Sequence, residues 1–396
     1  MSGPQAEITI GLEACCAEPP AVLSGRRLGL LMNQASLDRD FCYAHDVLAQ
    51  RFPGQLAALF SPQHGLWGEQ QANMIESPHG WEPRLGVPVY SLYSEVRRPT
   101  PEMLAGLDCL VVDLQDVGTR VYTFLWTISY CLEACAAAGI PAVILDRPNP
   151  LGGEIVEGPR LDPAYASFVG RTAIPMRHGL TIAEAAMVVN DALHIGAELH
   201  VVPMRGWRRS MWFADTGRAW VAPSPNLPRL EGVGLYPGMV LCEGTNLSEG
   251  RGTTTPFEVV GAPFVDPHRL LDALAAFELS GIALRPVWFV PMFDKWQGTR
   301  CGGVFVQVVD RAAARPYRTA LAILAAVRRL WPDHFAWRLL PYEYEPEKMP
   351  IDIIAGGTDV RWAIEGQKCQ TGQDLDRLAG DADPDWERTV RSFRLY

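Results

Sequence analysis

The sequence lacks the motifs that would assign it to a large enzyme class at sight. There is no Walker loop and no G-x-G-x-x-G after a first strand, so ATP and NAD readings lose their phosphate cradle. The glycine-flanked run at 249–252 has neither the spacing nor the lysine of a phosphate loop. No G-x-S-x-G elbow presents a nucleophilic serine. His64, His79 and His178 are dispersed, and no H-E-x-x-H or paired C-x-x-C occurs, so neither a metal nor a cofactor is expected. Nine cysteines, an odd number, suggest reduced thiols. Cys131 and Cys135 sit four apart among Ala and Leu and read as small core residues. No apolar run reaches the length of a membrane span, and the first residues, MSGPQAEITIGLEACC, lack the basic and apolar regions of an export signal. A cytoplasmic location is the expectation. Basic charge is also in deficit: a net charge of −10 argues against a nucleic-acid backbone as partner.

What is present is an ordinary globular composition, 48% hydrophobic and 20% charged, in a chain of 396 residues. That length exceeds one typical core, so two domains are expected. The most informative stretch is 108–127, DCLVVDLQDVGTRVYTFLWT. Cys109 to Val112 form the continuous apolar run of a strand covered on both faces. The chain then breaks into Asp113, Gln115, Asp116 and Gly118, followed by Arg120, Tyr122 and Trp126. A helical pattern runs from Ile128 to Ala138, ends at Gly139 and Pro141, and leads into a second apolar strand, AVILD, at 142–146. This is a β-loop-α-β unit, and open α/β sheets bind ligands where such strands deliver their carboxyl ends.

The pattern recurs along the chain. Strands are read at Leu28–Met32, from Leu56, and from Val87, with helices over AHDVLAQRF and from Thr100-Pro101-Glu102. The loop after Leu56–Phe60 carries Gln63, His64, Gly65, Gly68 and Glu69. Thr181 and Glu184 fit a capping box that opens a helix. LHVVPM, at 199–204, closes a first domain of β-loop-α units. Near 223–238 the composition turns Pro/Gly-rich, which puts the boundary between domains 1–232 and 233–396. The second half opens on CEGTNLSEGRGTTTPFE, followed by a helix in FVDPHRLLDALAAF, strands in PVWFVPMF and CGGVFVQVVD, and an apolar helix, PYRTALAILAAVRRLW. An acidic tail is read as peripheral. The fold class is α/β: a Rossmann-like, mostly parallel sheet plus a smaller α/β domain.

These loops concentrate carboxylates, amides and Arg. Glu69, Asp113 and Asp116 come from the first half, and Glu243, Glu249 and Glu258 from the second. A glycoside hydrolase needs such an inventory: one carboxyl to protonate the leaving oxygen and a carboxylate opposite as base or nucleophile. Taken singly each residue has a plain reading. A lone surface Glu is usually a solvated charge, and His178 beside a helix start is as good a cap as a ligand contact. The recurrence of polar loops at strand ends makes the joint case.

SPQHGLWGE, VVDLQDVGTRVYTF, DRPNPLGG with VEGP, RHGLT, SPN and EGTNLSEGRGT, in this order, closely resemble the NamZ family of bacterial exo-β-N-acetylmuramidases. The resemblance runs from Gly11-Leu12-Glu13 to PYEYE. It implies an active site in the cleft between the two domains and release of N-acetylmuramic acid from the non-reducing end of peptidoglycan fragments. The expected catalytic set is Glu69, Asp116, Glu243 and Glu249. The expected substrate-binding set is Gln63, His64, Asp113, Arg120, Tyr122, Asn149, Arg177, His178, Asn226, Asn246 and Arg251. Arg120, Arg177 or Arg251 would face the lactyl carboxylate. The expected partner is a small saccharide or muropeptide, with a homodimer as the assembly to test. One departure matters: many family members have Glu where this chain has Gln63, and Gln cannot act as a general acid. Either Glu69, in the same loop, replaces it, or the acid comes from elsewhere in the cleft, or this branch takes another sugar or only binds one.

Overall fold

The computed structural model describes residues 8–72, 74–380 and 383–396. Its first half is built on a seven-stranded sheet. The strands are β1 (Leu28–Met32), β2 (Leu56–Ser61), β3 (Gly80–Glu82), β4 (Val87–Ser91), β5 (Cys109–Asp113) and β6 (Ala142–Leu145). A small β7–β8 ribbon (Glu157–Arg160 and Pro175–Arg177) comes next, and β9 (Leu199–Val202) completes the large sheet. The order is β3-β4-β2-β1-β5-β6-β9, parallel except for the β3 edge. The chain winds outward from β1 to β4, then returns to β5 beside β1 and winds the other way. That reversal is where a doubly wound sheet opens a crevice.

Both faces of the central strands are buried, because side chains alternate across the pleat and each face has its own helical cover. Leu30, Met32, Cys109, Val111 and Val143 pack on one side with the helices Gly11–Ala17 and Ala44–Arg51. Leu31, Leu110, Val112 and Ile144 pack on the other with the helices Phe124–Ala138 and Ile182–Ala192. The Thr181–Glu184 capping box forms as expected: Glu184 N donates to Thr181 Oγ1 at 3.3 Å, and Thr181 N donates to Glu184 Oε2 at 3.0 Å. The helix after β5 begins at Phe124, a turn earlier than its Ile128-based pattern suggests. Thr123 caps it with no side-chain bond, so burial of Phe124 and Leu125 sets the start.

The second half holds a three-stranded antiparallel sheet of β10 (Val259–Ala262), β12 (Cys301–Val308) and β11 (Ile282–Phe289), in that order. β11 begins at Ile282, earlier than PVWFVPMF implies, because all eight of its residues pair with β12. The helices Leu230–Met239 and Pro316–Leu330 cross closely. A Cβ at Gly238 would sit 1.9 Å from the Pro316 carbonyl oxygen, so only glycine permits the approach. One apolar cluster continues from the first-half sheet into these helices. The tail is not peripheral. Trp386 is buried and donates to the His178 carbonyl at 3.0 Å, Leu395 N donates to Glu184 Oε1 at 2.8 Å, and the Tyr396 hydroxyl donates to Asp146 Oδ2 at 2.7 Å. Aromatic residues among the acidic ones supply this anchorage.

Candidate active site

A buried pocket lies where loops of the first half meet those of the second. The first half contributes Gln63 and His64 after β2, Tyr122 and Thr123 after β5, and Ser224 and Asn226. The second half contributes Tyr236, Glu243, Arg251, Phe257, Tyr342 and Glu343. Each polar member is placed by its own loop. Thr123 donates to Gln63 Oε1 at 2.8 Å, leaving the Gln63 Nε2 without a well-aligned acceptor. His64 sits at φ +75°, pinned between the Gln70 carbonyl (2.7 Å) and Ser224 Oγ (3.1 Å). Burial pushes its imidazole down to about 4, so it is neutral. The Tyr122 hydroxyl is buried and likewise without a partner. Its ring packs 4.6 Å from Phe124 and 6.2 Å from Tyr236. Asn226 is clasped by Gln71 in both directions, at 3.0 and 2.7 Å.

Two carboxyls stand in this pocket. Glu243 is ion-paired with Arg251 at 2.8 Å and accepts from the Tyr342 hydroxyl at 2.9 Å. Glu343 accepts from the Tyr93 hydroxyl at 2.9 Å. Burial, reinforced by the charge of Glu243, pushes the Glu343 carboxyl up to about 7 against the pull of Tyr93, Gln63 and Arg97. The turn that carries it is unusual. Tyr342 and Glu345 exchange backbone hydrogen bonds across Glu343 at φ +45° and Tyr344 at φ +66°. This is a two-residue turn with both central residues left-handed, where Asn and Gly are the ordinary occupants. Side chains hold it: Arg97 lies 4.1 Å from the Tyr93 ring centroid and 4.3 Å from that of Tyr344. Residues forced into such backbone cluster at functional sites.

Of the residues singled out in the sequence, Gln63, His64, Tyr122, Asn226, Glu243 and Arg251 meet here. Glu249 stands one step behind, between Arg251 (2.8 Å) and Lys295 (2.7 Å). Despite its burial, those two cations hold it down at about 2. The structure does not bring Glu69 into the group. It is exposed and folds back on its own loop, accepting from Trp67 N at 3.2 Å. Asp116 also lies outside the lining: it accepts from Gly118 N at 2.7 Å and stands 3.7 Å from His178.

The remaining predicted binders have other employment. Arg120 is fully buried and donates to the carbonyls of Pro159 (2.9 Å), Ile174 (3.1 Å) and Ile354 (2.8 Å), tying the two halves together. Arg177 donates to Leu151 O at 2.6 Å and lies over Trp212. Asp113 chelates Arg147 at 2.6 and 2.7 Å. Asn149 donates to Leu180 O at 2.8 Å and accepts from Leu151 N at 2.9 Å. His178 accepts from Leu180 N at 3.1 Å, and Asn246 donates to His334 O at 2.8 Å. Sequence reasoning missed Glu343, Tyr342, Tyr236 and Tyr93. The available signal was PYEYE, two acids interleaved with tyrosines. Among the described residues no group of three or more His, Cys, Asp or Glu could hold a metal, and no helix is long and apolar enough to cross a membrane.

The chain matches two family models, "Exo-beta-N-acetylmuramidase NamZ, N-terminal" over residues 28–231 and its C-terminal counterpart over residues 234–396. It is 44% identical over 387 residues to the peptidoglycan beta-N-acetylmuramidase NamZ of Bacillus subtilis, covering 98% of this chain and 89% of that protein. Two crystal structures of DUF1343 family proteins from Bacteroides fragilis resemble it. One has a TM-score of 0.88 at 30% identity, covering 99% of this chain and 100% of that one. The other has a TM-score of 0.74 at 28% identity, covering 98% and 99%.

Proposed function

The chain belongs to the NamZ family of exo-β-N-acetylmuramidases, and from that premise we propose that it removes N-acetylmuramic acid from the non-reducing end of peptidoglycan fragments, with Glu343 as its acid. The observation that carries the reading is the Glu343–Glu243 pair in one buried pocket. A general acid must hold its proton near working pH, and burial raises Glu343 to about 7. As the glycosidic C–O bond breaks, Glu343 gives its proton to the departing sugar oxygen. Positive charge develops on the muramic ring, and Glu243 supplies the opposing carboxylate. Water then adds to the ring carbon and gives up a proton, which restores the acid form of Glu343, so the products are free N-acetylmuramic acid and the shortened fragment.

Gln63 takes a binding role. The Tyr122 hydroxyl is a buried donor without a partner, and Gln63 Nε2, beside Glu343, has no well-aligned acceptor; such groups are costly unless a ligand satisfies them. The acetamido and lactyl oxygens of the sugar are suitable acceptors. Arg251 is balanced by Glu243 and Glu249, so it orients Glu243 more than it neutralises a substrate carboxylate. The direct test compares release from a chromogenic β-N-acetylmuraminide and the matching N-acetylglucosaminide. Preferential release from the muraminide is the expected result. Release from the glucosaminide alone, or from neither, contradicts the reading.

A further inference from the structure

Lys295 is one of three lysines in a chain that otherwise uses arginine, and nothing in the reaction proposed above involves it. It sits in the connection between β11 and β12, flanked by Asp294 at φ +65° and Trp296 at φ +61°. Left-handed backbone at two non-glycine residues persists only where the surroundings impose it. Here the loop of the reaction pocket does so: Met292 N donates to Gly252 O at 2.8 Å, and Trp296 Nε1 donates to Asn246 O at 2.6 Å. Lys295 Nζ spends its three hydrogens on Cys242 O (2.8 Å), Leu247 O (2.8 Å) and Glu249 Oε2 (2.7 Å). An ammonium meets three diverging acceptors in a way that a planar guanidinium does not.

From Lys295 a row of alternating charges leads into the pocket. Glu249 Oε1 lies 2.8 Å from Arg251 Nη1, and that same nitrogen lies 2.8 Å from Glu243 Oε1. One guanidinium nitrogen therefore serves two carboxylates, Glu243 in the pocket and Glu249 behind it. All three side chains are buried, so neither carboxylate can turn to water for its counter-charge. Without Lys295, Glu249 would draw on Arg251 alone, at the expense of Glu243. With Lys295, the row holds two cations and two anions and is neutral.

We propose that, given the muramidase reading of Glu243 and Glu343, Lys295 is a positioning residue of the reaction pocket: by satisfying Glu249, it leaves Arg251 to hold Glu243 as the carboxylate opposite Glu343. Lys295 touches neither the sugar nor the reacting atoms and acts only through Glu249 and Arg251. The other groups that face this row and Glu343 leave the charge count unchanged near pH 7. Burial keeps Tyr93, Tyr236, Tyr342, Tyr344 and Cys242 protonated and His64 neutral. Arg97 adds a fixed positive charge on the far side of Glu343 from the row.

The test follows the titration of Glu343 by carbon-13 NMR of the full chain labelled at glutamate carboxyls, its signal identified by its loss in Glu343→Gln. Values of kcat and KM on a muramic-acid disaccharide are measured alongside. Lys295→Met leaves one negative charge in excess and should raise the Glu343 midpoint by about half a pH unit or more, whereas Glu249→Gln leaves one positive charge in excess and should lower it by as much. The double variant is neutral again, and its midpoint should return to the wild-type value. Lys295→Met should lower kcat about tenfold with KM within about twofold, and adding Glu249→Gln should recover most of that loss. A lysine that merely ties down carbonyls predicts a double variant no better than Lys295→Met, since the same hydrogen bonds are missing from both. That result, or a midpoint unmoved by either single change, would overturn the proposal. A wild-type chain that releases no muramic acid while the three midpoints move as expected would overturn the muramidase reading and leave the charge row standing.

Discussion

At the scale of single residues, the pocket assigns unlike tasks to like groups by changing their surroundings. Glu249 is held ionised by Lys295 and Arg251, whereas Glu343, with a hydroxyl and an amide for neighbours, keeps its proton to about pH 7. If Glu343 is the acid, kcat/KM should fall as pH rises through about 7, because the deprotonated enzyme has nothing to give the leaving oxygen. Gln63→Glu sharpens the test. It places another carboxyl beside Glu343, and a like charge raises a neighbour's pKa. The basic limb of the pH profile should therefore move to higher pH in that variant; a downward shift or an unmoved limb would argue that Glu343 does not set it.

At the scale of elements, each polar loop is held by interactions that the sequence disguises as binding chemistry. Arg120 is the clearest example. Its cation is enclosed among carbonyls from three segments, and burial lowers its pKa to about 10. Arg120→Leu should cost about 3 kcal/mol or more, since it strands three buried acceptors. The KM of the protein that remains folded should barely change, which denaturant unfolding and steady-state kinetics would separate. A rise in KM at unchanged stability would restore Arg120 to the substrate.

The parallel strands of the large sheet and the capping box were legible in the sequence, because apolar runs and caps report local physics, whereas the short β3, β7, β8 and β10 were not read. The β2 and β5 loops and EGTNLSEGRG were also legible as site-forming, and they supply Gln63, His64, Tyr122, Glu243 and Arg251. What could not be read was which loop carboxylates point inward. Glu69 and Glu343 look equally polar as letters. Glu343 is buried only because a left-handed turn without glycine, braced by Tyr93 and Arg97, directs it there. Tertiary contacts of that kind leave no periodic trace.

At the scale of the whole molecule, the halves are fastened by a shared apolar cluster and by a tail that returns to the first sheet. That return creates a second buried acid. Asp146, bonded by Tyr396, is raised by burial to about 7 from 3.8, as Glu343 is from 4.5. Both groups hold protons in the folded state that the unfolded chain has released. Their contribution to stability is therefore complete below about pH 4 and is lost as pH rises toward about 7, by a few kcal/mol in all. Glu249, depressed to about 2, acts the other way and is lost as pH falls below its unfolded value near 4.5. Buried His64, lowered to about 4 from 6.5, opposes Glu343 and Asp146 below about pH 6.5, so the decline in unfolding free energy should be steepest between about pH 6.5 and 7, and Glu343→Gln should flatten it there. A curve that rises between about pH 6.5 and 7 would contradict both assignments.

The central claim, that Glu343 has taken over as proton donor in a chain with Gln63, is tested most directly by kcat/KM of wild type, Glu343→Gln and Glu69→Gln. Each is measured on a muramic-acid disaccharide and on the 4-nitrophenyl muraminide. Glu343→Gln should lose about 10²- to 10⁴-fold on the disaccharide and much less on the nitrophenyl compound, whose leaving group departs without a proton. Glu69→Gln should match wild type on both. A Glu343→Gln enzyme that cleaves the disaccharide at the wild-type rate, or a Glu69→Gln enzyme that fails to, would show that the acid lies elsewhere.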